Sequence, residues 1–380
     1  MSPGAEPGLT RVYAPLRLSV VIRSVELLRV RLPLTQPFRT ASGTTAVKEA
    51  LLVRVVTPDS VGWGECAAQL TASYMPETID TARVALRDEL VPRLFAGSGL
   101  TAVRGHHAAK AALTGAVLDA QLRAEGRSLA AHLGGTATHV DAGVAVGMQP
   151  DRATLLEVIG GYAAEGYRSM KLKIGRGHDV ELVAAVRSEV GPSVMLQVDA
   201  NGSYAPADAD HLAELDAFDL ACIEQPLAPD ALLDHARLAA RLRTPIGLDE
   251  TITSASVARD AIELGACRVV SIKVGLVGGL DEANRALETC RAAGVDARAG
   301  GMLETGIGRA ALVALASLPG FTVAGDLSAS SRYFADDITE PFVLDNGKIA
   351  VPTGPGLGVT PRLDRLAQCT IARERLDPER

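Results

Sequence analysis

The stretches VMLQVDAN (194–201), LACIEQP (220–226) and IGLDE (246–250) decide the fold, because each is a short apolar run that reaches a carboxylate. The three carboxylates, each 25 residues after the last, are Asp199, Glu224 and Asp249. Ala-, Leu- and Glu-rich segments with helical periodicity lie between the runs. Strands and helices that alternate in this way predict a parallel β/α sheet.

The same alternation of apolar runs and helical segments includes eight runs, which predicts a closed barrel. We predict strands at 139–146, 169–174, 194–199, 220–224, 246–249, 269–273, 296–302 and 321–327. Eight β/α units favour a TIM-type barrel, which we place at residues 138–340. An open, doubly wound sheet is the alternative, but no GxGxxG motif follows the first strand.

The chain before the barrel has a different order of elements. Strand-like runs at 21–32 and 48–57 precede helical patterns at 78–95 and 108–124, which predicts a separate α+β domain over residues 1–137. We expect the C-terminal tail, 341–380, to pack back on this domain. Residues 1–16 contain three prolines and no apolar run, so they resemble a loose tail rather than a signal peptide.

Composition excludes several classes of protein. A net charge of −7 argues against a nucleic-acid-binding surface, which needs a basic face. No run approaches the roughly 20 apolar residues of a membrane span. The five cysteines show no CxxC or Cys/His spacing, so we expect neither a disulfide framework nor a zinc site, and a cytoplasmic location.

Lysines end the runs on either side of the carboxylates. Lys171 and Lys173 lie on one face of the strand at 169–174, since side chains alternate along a strand, and Lys273 ends a later strand. Barrel enzymes carry their chemistry at these strand ends. A single charged residue there is usually a helix cap or a solvated rim residue. Six on five successive strands indicate an active site.

Three carboxylates on adjacent strands predict a bound cation, because buried like charges are costly without one. Oxygen ligands favour Mg²⁺ over zinc or copper, with Mn²⁺ as the alternative. The second and sixth strands of an eight-stranded ring lie opposite each other, so Lys173 and Lys273 should face a small-molecule carboxylate from two sides. The metal would stabilise the dianion formed on loss of the α-proton, and nearby cations would lower a lysine pKa enough for it to act as base.

These residues form motifs that resemble the enolase superfamily, muconate-lactonizing-enzyme subgroup. The motifs are KLK (171–173), DAN (199–201), IEQP (223–226), LDE (248–250) and IK (272–273). The stretch from 300 to 338, beginning GGMLETGIGRAA, is similar to the o-succinylbenzoate synthase and N-acylamino acid racemase family. The resemblance extends from about 21 to 358 and implies an α+β capping domain over a (β/α)₇β barrel.

The resemblance also implies roles for individual residues. It implies that the three carboxylates hold Mg²⁺, that Lys173 and Lys273 are the acid/base pair, and that Lys171 assists near the substrate carboxylate. It implies too that the capping-domain loop at Phe38-Arg39-Thr40 closes the site. The residues that we assign to substrate binding are Asn201, Glu250, Gly301, Met302, Glu304, Phe38 and Arg39.

One position departs from the family pattern. Racemases of this family commonly carry Arg three residues after the second lysine, where this chain has Leu276. Without that guanidinium Lys273 should remain protonated, which favours dehydration to o-succinylbenzoate in menaquinone synthesis over racemisation of N-succinylamino acids. A neutral substitution at this position is nearly as compatible with the pattern, and both activities can coexist. Another cycloisomerase or dipeptide epimerase of the subgroup is a weaker candidate.

Two alternative functions lie outside this family. The glycine-rich segment 300–308 could hold a phosphate, as in a sugar-phosphate barrel enzyme, but the carboxylates would then have no role. A barrel that only binds a metal and an acidic ligand would not need lysines on opposite strands. We also expect a homo-oligomer.

Overall fold

The computed structural model describes residues 21–41 and 43–378, so the predicted loose tail at 1–16 lies outside the described residues. The N-terminal part contains a four-stranded antiparallel sheet. Its strands in spatial order are β14 (Thr370–Leu376), β1 (Ser24–Thr40), β2 (Gly43–Val56) and β3 (Val61–Cys66). We did not predict β3, because glycines such as Gly62 and Gly64 normally weaken a strand.

These glycines are required by the helix that lies across the sheet. A Cβ on Gly62 or Gly64 would lie 2.1 or 2.0 Å from backbone oxygens of α3 (His107–Glu125). The alanine-rich α3 therefore packs directly on β3. The predicted helix at 78–95 is present but interrupted. Its parts are α1 (Ile79–Ala85), a π-helical turn (Leu86–Leu90) and α2 (Val91–Phe95), and a 3₁₀ turn (Leu100–Ala102) and α4 (Leu129–Leu133) complete the region.

The second part is a β/α barrel. Seven parallel strands lie side by side in chain order: β5 (Gly143–Val146), β6 (Ser169–Lys173), β7 (Met195–Asp199), β8 (Ile223–Glu224), β9 (Ile246–Leu248), β10 (Val269–Ile272) and β11 (Asp296–Ala299). The surrounding helices are α5 (Arg152–Glu165), α6 (Val180–Val190), α7 (Ala209–Ala213), α8 (Leu232–Ala239), α9 (Ala255–Glu263), α10 (Val274–Val277), α11 (Leu280–Ala293) and α12 (Gly306–Ala316). Short 3₁₀ turns lie at Pro206–Asp208, Glu214–Ala217 and Ser330–Arg332.

The prediction of an eighth strand at 321–327 was wrong. Thr322 and Val323 donate backbone hydrogen bonds to Ala297 of β11, and Gly143 of β5 donates one of 2.9 Å to Gly325. The segment therefore joins the two edge strands by a few isolated bonds. It forms no ladder with either strand, yet it closes the ring.

The C-terminal tail divides between the two parts of the molecule. The hairpin of β12 (Leu344–Asp345) and β13 (Lys348–Ala350) pairs with β4 (His139–Asp141) at the start of the barrel region. After α13 (Leu363–Cys369), β14 pairs with β1. The boundaries at 137/138 and 340/341 stay a prediction. Among the described helices, none combines the length and the apolar character needed to cross a membrane.

Candidate active site

The three carboxylates meet inside the C-terminal end of the barrel. Asp199 and Glu224 end β7 and β8, and Asp249 follows β9, so adjacent parallel strands bring them to the same level. All three side chains are buried, and one oxygen of each lies within 4.8 Å of the others. This arrangement has the size of a single ion site.

The lysines bind these carboxylates from opposite sides of the ring. Lys173 donates to Asp199 Oδ2 at 2.6 Å, and Lys273 donates to Asp249 Oδ2 at 2.6 Å. Lys171, on the same strand as Lys173, lies 3.1 Å from both oxygens of Glu224. All three lysines point into the barrel, because their neighbours in sequence fill the outer face against the helices.

The loops that follow the strands are held in a less common backbone conformation. Asn201 and Gln225 have φ of 45° and 41°, which side chains other than glycine rarely adopt. The Asn201 amide oxygen accepts a 2.8 Å bond from Lys173, and the Gln225 amide oxygen accepts a 3.0 Å bond from the Asp249 backbone. These strained turns therefore fix the directions of Lys173 and Asp249.

A divalent cation fits the donor set on three observations. Asp249 Oδ1 is buried and has no hydrogen-bond partner among the described residues. Burial raises the pKa of Glu224 to about 7, and burial together with Asp249 and Asp199 raises that of Glu250 to about 8, so a further positive charge would favour the ionised form of both carboxyl groups. The donors are all oxygens, as hard divalent cations prefer. The triad can hold a metal ion.

A cavity of about 180 Å³ opens above the triad, between the barrel and the N-terminal domain. The predicted residues that line it are Lys171, Lys173, Lys273, Asn201, Gly301, Met302 and Phe38. Thr40, Thr44, Thr45, Thr71 and Ser73 add hydroxyl groups from the N-terminal domain. The cavity therefore joins the lysines to a polar wall that the barrel does not supply.

The other three predicted substrate-binding residues lie apart from this cavity wall. Glu250 accepts a 2.7 Å hydrogen bond from Asn201, which lines the cavity, and so helps to position that side chain. Arg39 is exposed, and its carbonyl oxygen accepts a bond from Met148 of the barrel. Glu304 lines a second, smaller cavity between β3, α3 and α12.

Sequence reasoning missed three residues of the site. Tyr74 of the N-terminal domain donates a 2.9 Å bond to Asp249 Oδ2 and accepts one from Lys273. Asp326 accepts a 2.9 Å bond from Lys171, and Arg298 forms ion pairs with Glu224 and Asp326. The strand-end rule would have found Asp326, since it lies near the end of the run at 321–327. A charged residue within the short strand β11 is the signal for Arg298, whereas Tyr74 has no signal in the sequence.

Comparison with known proteins identifies the family of this chain. Residues 155–365 match the family described as enolase C-terminal domain-like. The chain belongs to the enolase superfamily. This enolase-superfamily enzyme is 52% identical over 361 residues to the N-succinylamino acid racemase of Amycolatopsis sp, an alignment that covers 93% of this chain and 98% of that protein.

Other members of the enolase superfamily are similar over the same length. The o-succinylbenzoate synthase of Geobacillus kaustophilus is 45% identical over 352 residues, which covers 90% of this chain and 94% of that protein. The crystal structure of an enolase-superfamily member from Listeria innocua superimposes with a TM-score of 0.91 at 36% identity, and covers 95% of this chain and 100% of that one. The barrel and its capping domain are therefore those of the superfamily.

Proposed function

We propose that this enzyme removes the proton α to a substrate carboxylate and that its main reaction is dehydration to o-succinylbenzoate. The observation that carries the proposal is the pair Lys173 and Lys273, which line one cavity from opposite strands beside a buried carboxylate triad. Relatives that are 45% identical bear the name o-succinylbenzoate synthase, which supports the choice of reaction.

We assign the metal site to Asp199, Glu224 and Asp249, with Mg²⁺ as the ion and Mn²⁺ as a substitute. Bound there, the ion would supply positive charge to the dianion that forms when the α-proton leaves. Mg²⁺ prefers oxygen ligands, and Asp249 Oδ1 is a buried oxygen without a protein partner in the described part of the chain.

Lys173 carries the proton transfers in this proposal. Its neutral amine takes the α-proton, and the ammonium then returns a proton to the β-hydroxyl group, which leaves as water when the C–O bond breaks. Asp199 and Asn201 hold the Lys173 nitrogen at 2.6 and 2.8 Å, so both transfers use one fixed position. With one base on one face of the substrate, we expect both groups to leave from the same side.

Lys273 acts as a cation rather than as a base. Burial lowers its pKa, but the carboxylates of Asp249 and Glu250 outweigh burial and raise it above the usual value. The charged ammonium would then face the anionic intermediate from the side opposite Lys173. Leu276, which is 4% exposed, packs in the apolar cluster of the N-terminal domain and brings no second cation near Lys273.

Racemisation of N-succinylamino acids is the second candidate. The 52% identical relative from Amycolatopsis sp bears that name, and Lys273 has the position that a second base would need. The two reactions differ in one requirement, since racemisation needs each lysine to accept a proton. The balance between them therefore depends on the charge of Lys273.

A side-by-side assay with Mg²⁺ supplied tests the proposal. We expect dehydration to exceed racemisation, and α-proton exchange with deuterium to be fast only for the enantiomer of an N-succinylamino acid whose proton faces Lys173. Lys173→Ala should reduce dehydration by about 10² to 10⁴-fold. Equal exchange from both enantiomers would make Lys273 a working base and overturn the preference for the synthase.

Leu276→Arg tests the cause of that preference. A guanidinium near Lys273 disfavours the ammonium form, so we expect racemisation to rise relative to dehydration. Thermal stability should fall, because the new charge enters an apolar cluster. The role in menaquinone synthesis, the cytoplasmic location and the homo-oligomeric state stay predictions from the sequence.

A further inference from the structure

Arg298 is a charged residue in the middle of the barrel. Its side chain is 1% exposed, which places it among the largest fully buried side chains of the described residues. A guanidinium cannot lose its charge, so its transfer from water to this position is costly unless anions surround it. The anions that contact Arg298 are therefore the key to its role.

Arg298 belongs to a closed ring of four charged groups. Its Nη1 donates to Glu224 Oε2, and its Nη2 lies 2.6 Å from Asp326 Oδ1. Lys171 completes the ring from the other side, at 3.1 Å from Glu224 and 2.9 Å from Asp326 Oδ2. Each carboxylate thus has one partner that is a lysine and one that is an arginine.

The two cations of the ring differ in their access to the cavity. Lys171 and Asp326 line the substrate cavity, whereas Arg298 lies below it and does not reach its wall. A substrate carboxylate can therefore attract the Lys171 ammonium but cannot reach the guanidinium. Arg298 can therefore keep its bond to Glu224 while substrates enter and leave.

We propose that Arg298 is a positioning residue that holds Glu224 in the orientation needed for the metal site, independently of Lys171. The inference rests on the proposed metal site. The planar fork of the guanidinium presents one nitrogen to each carboxylate, Nη1 to Glu224 and Nη2 to Asp326, whereas a lysine at the same position would have a single nitrogen. Glu224 therefore keeps its orientation when Lys171 turns to the substrate.

Titration of the metal-free protein with Mn²⁺ by calorimetry tests this role. Arg298→Lys keeps the charge but loses the fork, so we expect the Kd for Mn²⁺ to rise by about 10- to 100-fold, as for other residues that orient metal ligands. Arg187→Lys is the matched control. Arg187 donates to four backbone carbonyls at the opposite end of the barrel, at Phe218, Gly191, Val194 and Asp219.

The outcomes separate this inference from the proposed function. A wild-type protein that does not bind Mn²⁺ would remove the metal site itself. Binding by the wild type with an unchanged or lower Kd in Arg298→Lys would show that Arg298 is only a counter-charge and overturn the positioning role. A rise of the same size in Arg187→Lys would also overturn it, because the effect would then be one of general stability.

Lys171→Met provides a second variant if Arg298→Lys does not fold. The substitution removes a positive charge next to the site and leaves the bond between Arg298 and Glu224 in place. We therefore expect Mn²⁺ to bind at least as tightly as to the wild type. A Kd raised tenfold or more would mean that Lys171 orients Glu224, contrary to the inference.

Discussion

At the scale of single residues, the site depends on bonds that cross between the two parts of the molecule. Tyr74 extends from the N-terminal domain to Asp249 and Lys273 of the barrel. The Lys273 ammonium lies 4.6 Å from the centre of the Tyr74 ring. Burial and the carboxylates of Asp249 and Glu250 raise the pKa of Tyr74 well above its usual value, so its hydroxyl remains a donor. Tyr74 therefore couples the position of the capping domain to that of Lys273.

Tyr74→Phe should lower turnover by about fivefold, since a hydrogen bond contributes about 1 kcal/mol. The loss should appear in kcat more than in KM, because the hydroxyl contacts Asp249 and Lys273. Tyr204→Phe is the control, as it removes a buried 2.8 Å bond to Asp179 that does not involve the lysines. Steady-state kinetics of both variants provide the measurement, and equal losses would contradict a specific role for Tyr74.

At the scale of elements, the barrel is closed by a segment that is not a strand. Gly325 lies so close to β11 that an added Cβ would be 2.2 Å from the Ala299 carbonyl oxygen. A backbone neighbour cannot move aside as a flexible side chain can. The closure therefore needs glycine at this position.

Gly325→Ala should reduce the free energy of unfolding by about 1 to 3 kcal/mol, the usual cost of overpacking. Gly161→Ala is the matched control, because Gly161 lies in α5 with nothing within 4 Å of an added Cβ. Alanine there should raise stability by about 0.5 to 1 kcal/mol. Chemical denaturation of the two variants should show shifts of opposite sign, and a neutral Gly325→Ala would contradict the closure described here.

The first turn of α12 is capped by a residue from the other domain. Glu65 of β3 accepts bonds from the Thr305 backbone and hydroxyl at 3.1 and 2.6 Å, and from the Gly308 backbone at 2.9 Å. Burial nevertheless raises the pKa of Glu65 to about 7, from 4.5 for an exposed glutamate. Two opposing effects, helix capping and burial, therefore act on one carboxyl group.

The variant Glu65→Gln shows whether helix capping or burial dominates the pKa of this carboxyl group. If the folded pKa is about 7, unfolding releases a proton at pH values between 4.5 and 7, so wild-type stability falls relative to the variant as pH rises through that window. Above pH 7 the difference in the free energy of unfolding between the two proteins should be constant. Urea unfolding at several pH values measures this difference. Wild-type stability that rises relative to the variant as pH increases would mean that the helix N-terminus lowers the pKa of Glu65 instead.

At the scale of the whole molecule, the two parts share one apolar core. Leu28, Val30 and Leu52 of the antiparallel sheet belong to the same cluster as barrel residues such as Leu172 and Val198. The opposite face of that sheet packs on the capping helices. Anything that stabilises the barrel should therefore stabilise both parts together.

Removal of divalent metal should lower the Tm of the whole molecule in a single transition. A ligand at a hundred times its Kd stabilises the folded state by about 2.7 kcal/mol, so Mg²⁺ or Mn²⁺ should restore the Tm of chelated protein. Asp249→Asn should respond less to added metal, since it loses a charged ligand. Scanning calorimetry with and without chelator makes the comparison. A wild-type Tm that changes with neither chelator nor added metal would contradict the metal site.

Much of this architecture could be predicted from local patterns. The apolar runs ending in Asp199, Glu224 and Asp249 indicated a parallel sheet, because strand alternation and helix periodicity are properties of neighbouring residues. The same patterns predicted which face of β6 carries Lys171 and Lys173. Parallel strands then require their C-terminal ends to meet, which is why the triad could be predicted without knowledge of the packing.

Other features were decided only by tertiary structure. The segment at 321–327 bonds to β11 and β5, which are distant in sequence, so its own residues could not show that it would form no ladder. Glu304 lies close to Gly301 in sequence and in space, yet its side chain lines the second cavity rather than the one that Gly301 and Met302 line. Tyr74 and Arg298 acquire their partners across the domain interface and across the ring. Such contacts depend on how the elements pack, and no local periodicity encodes them.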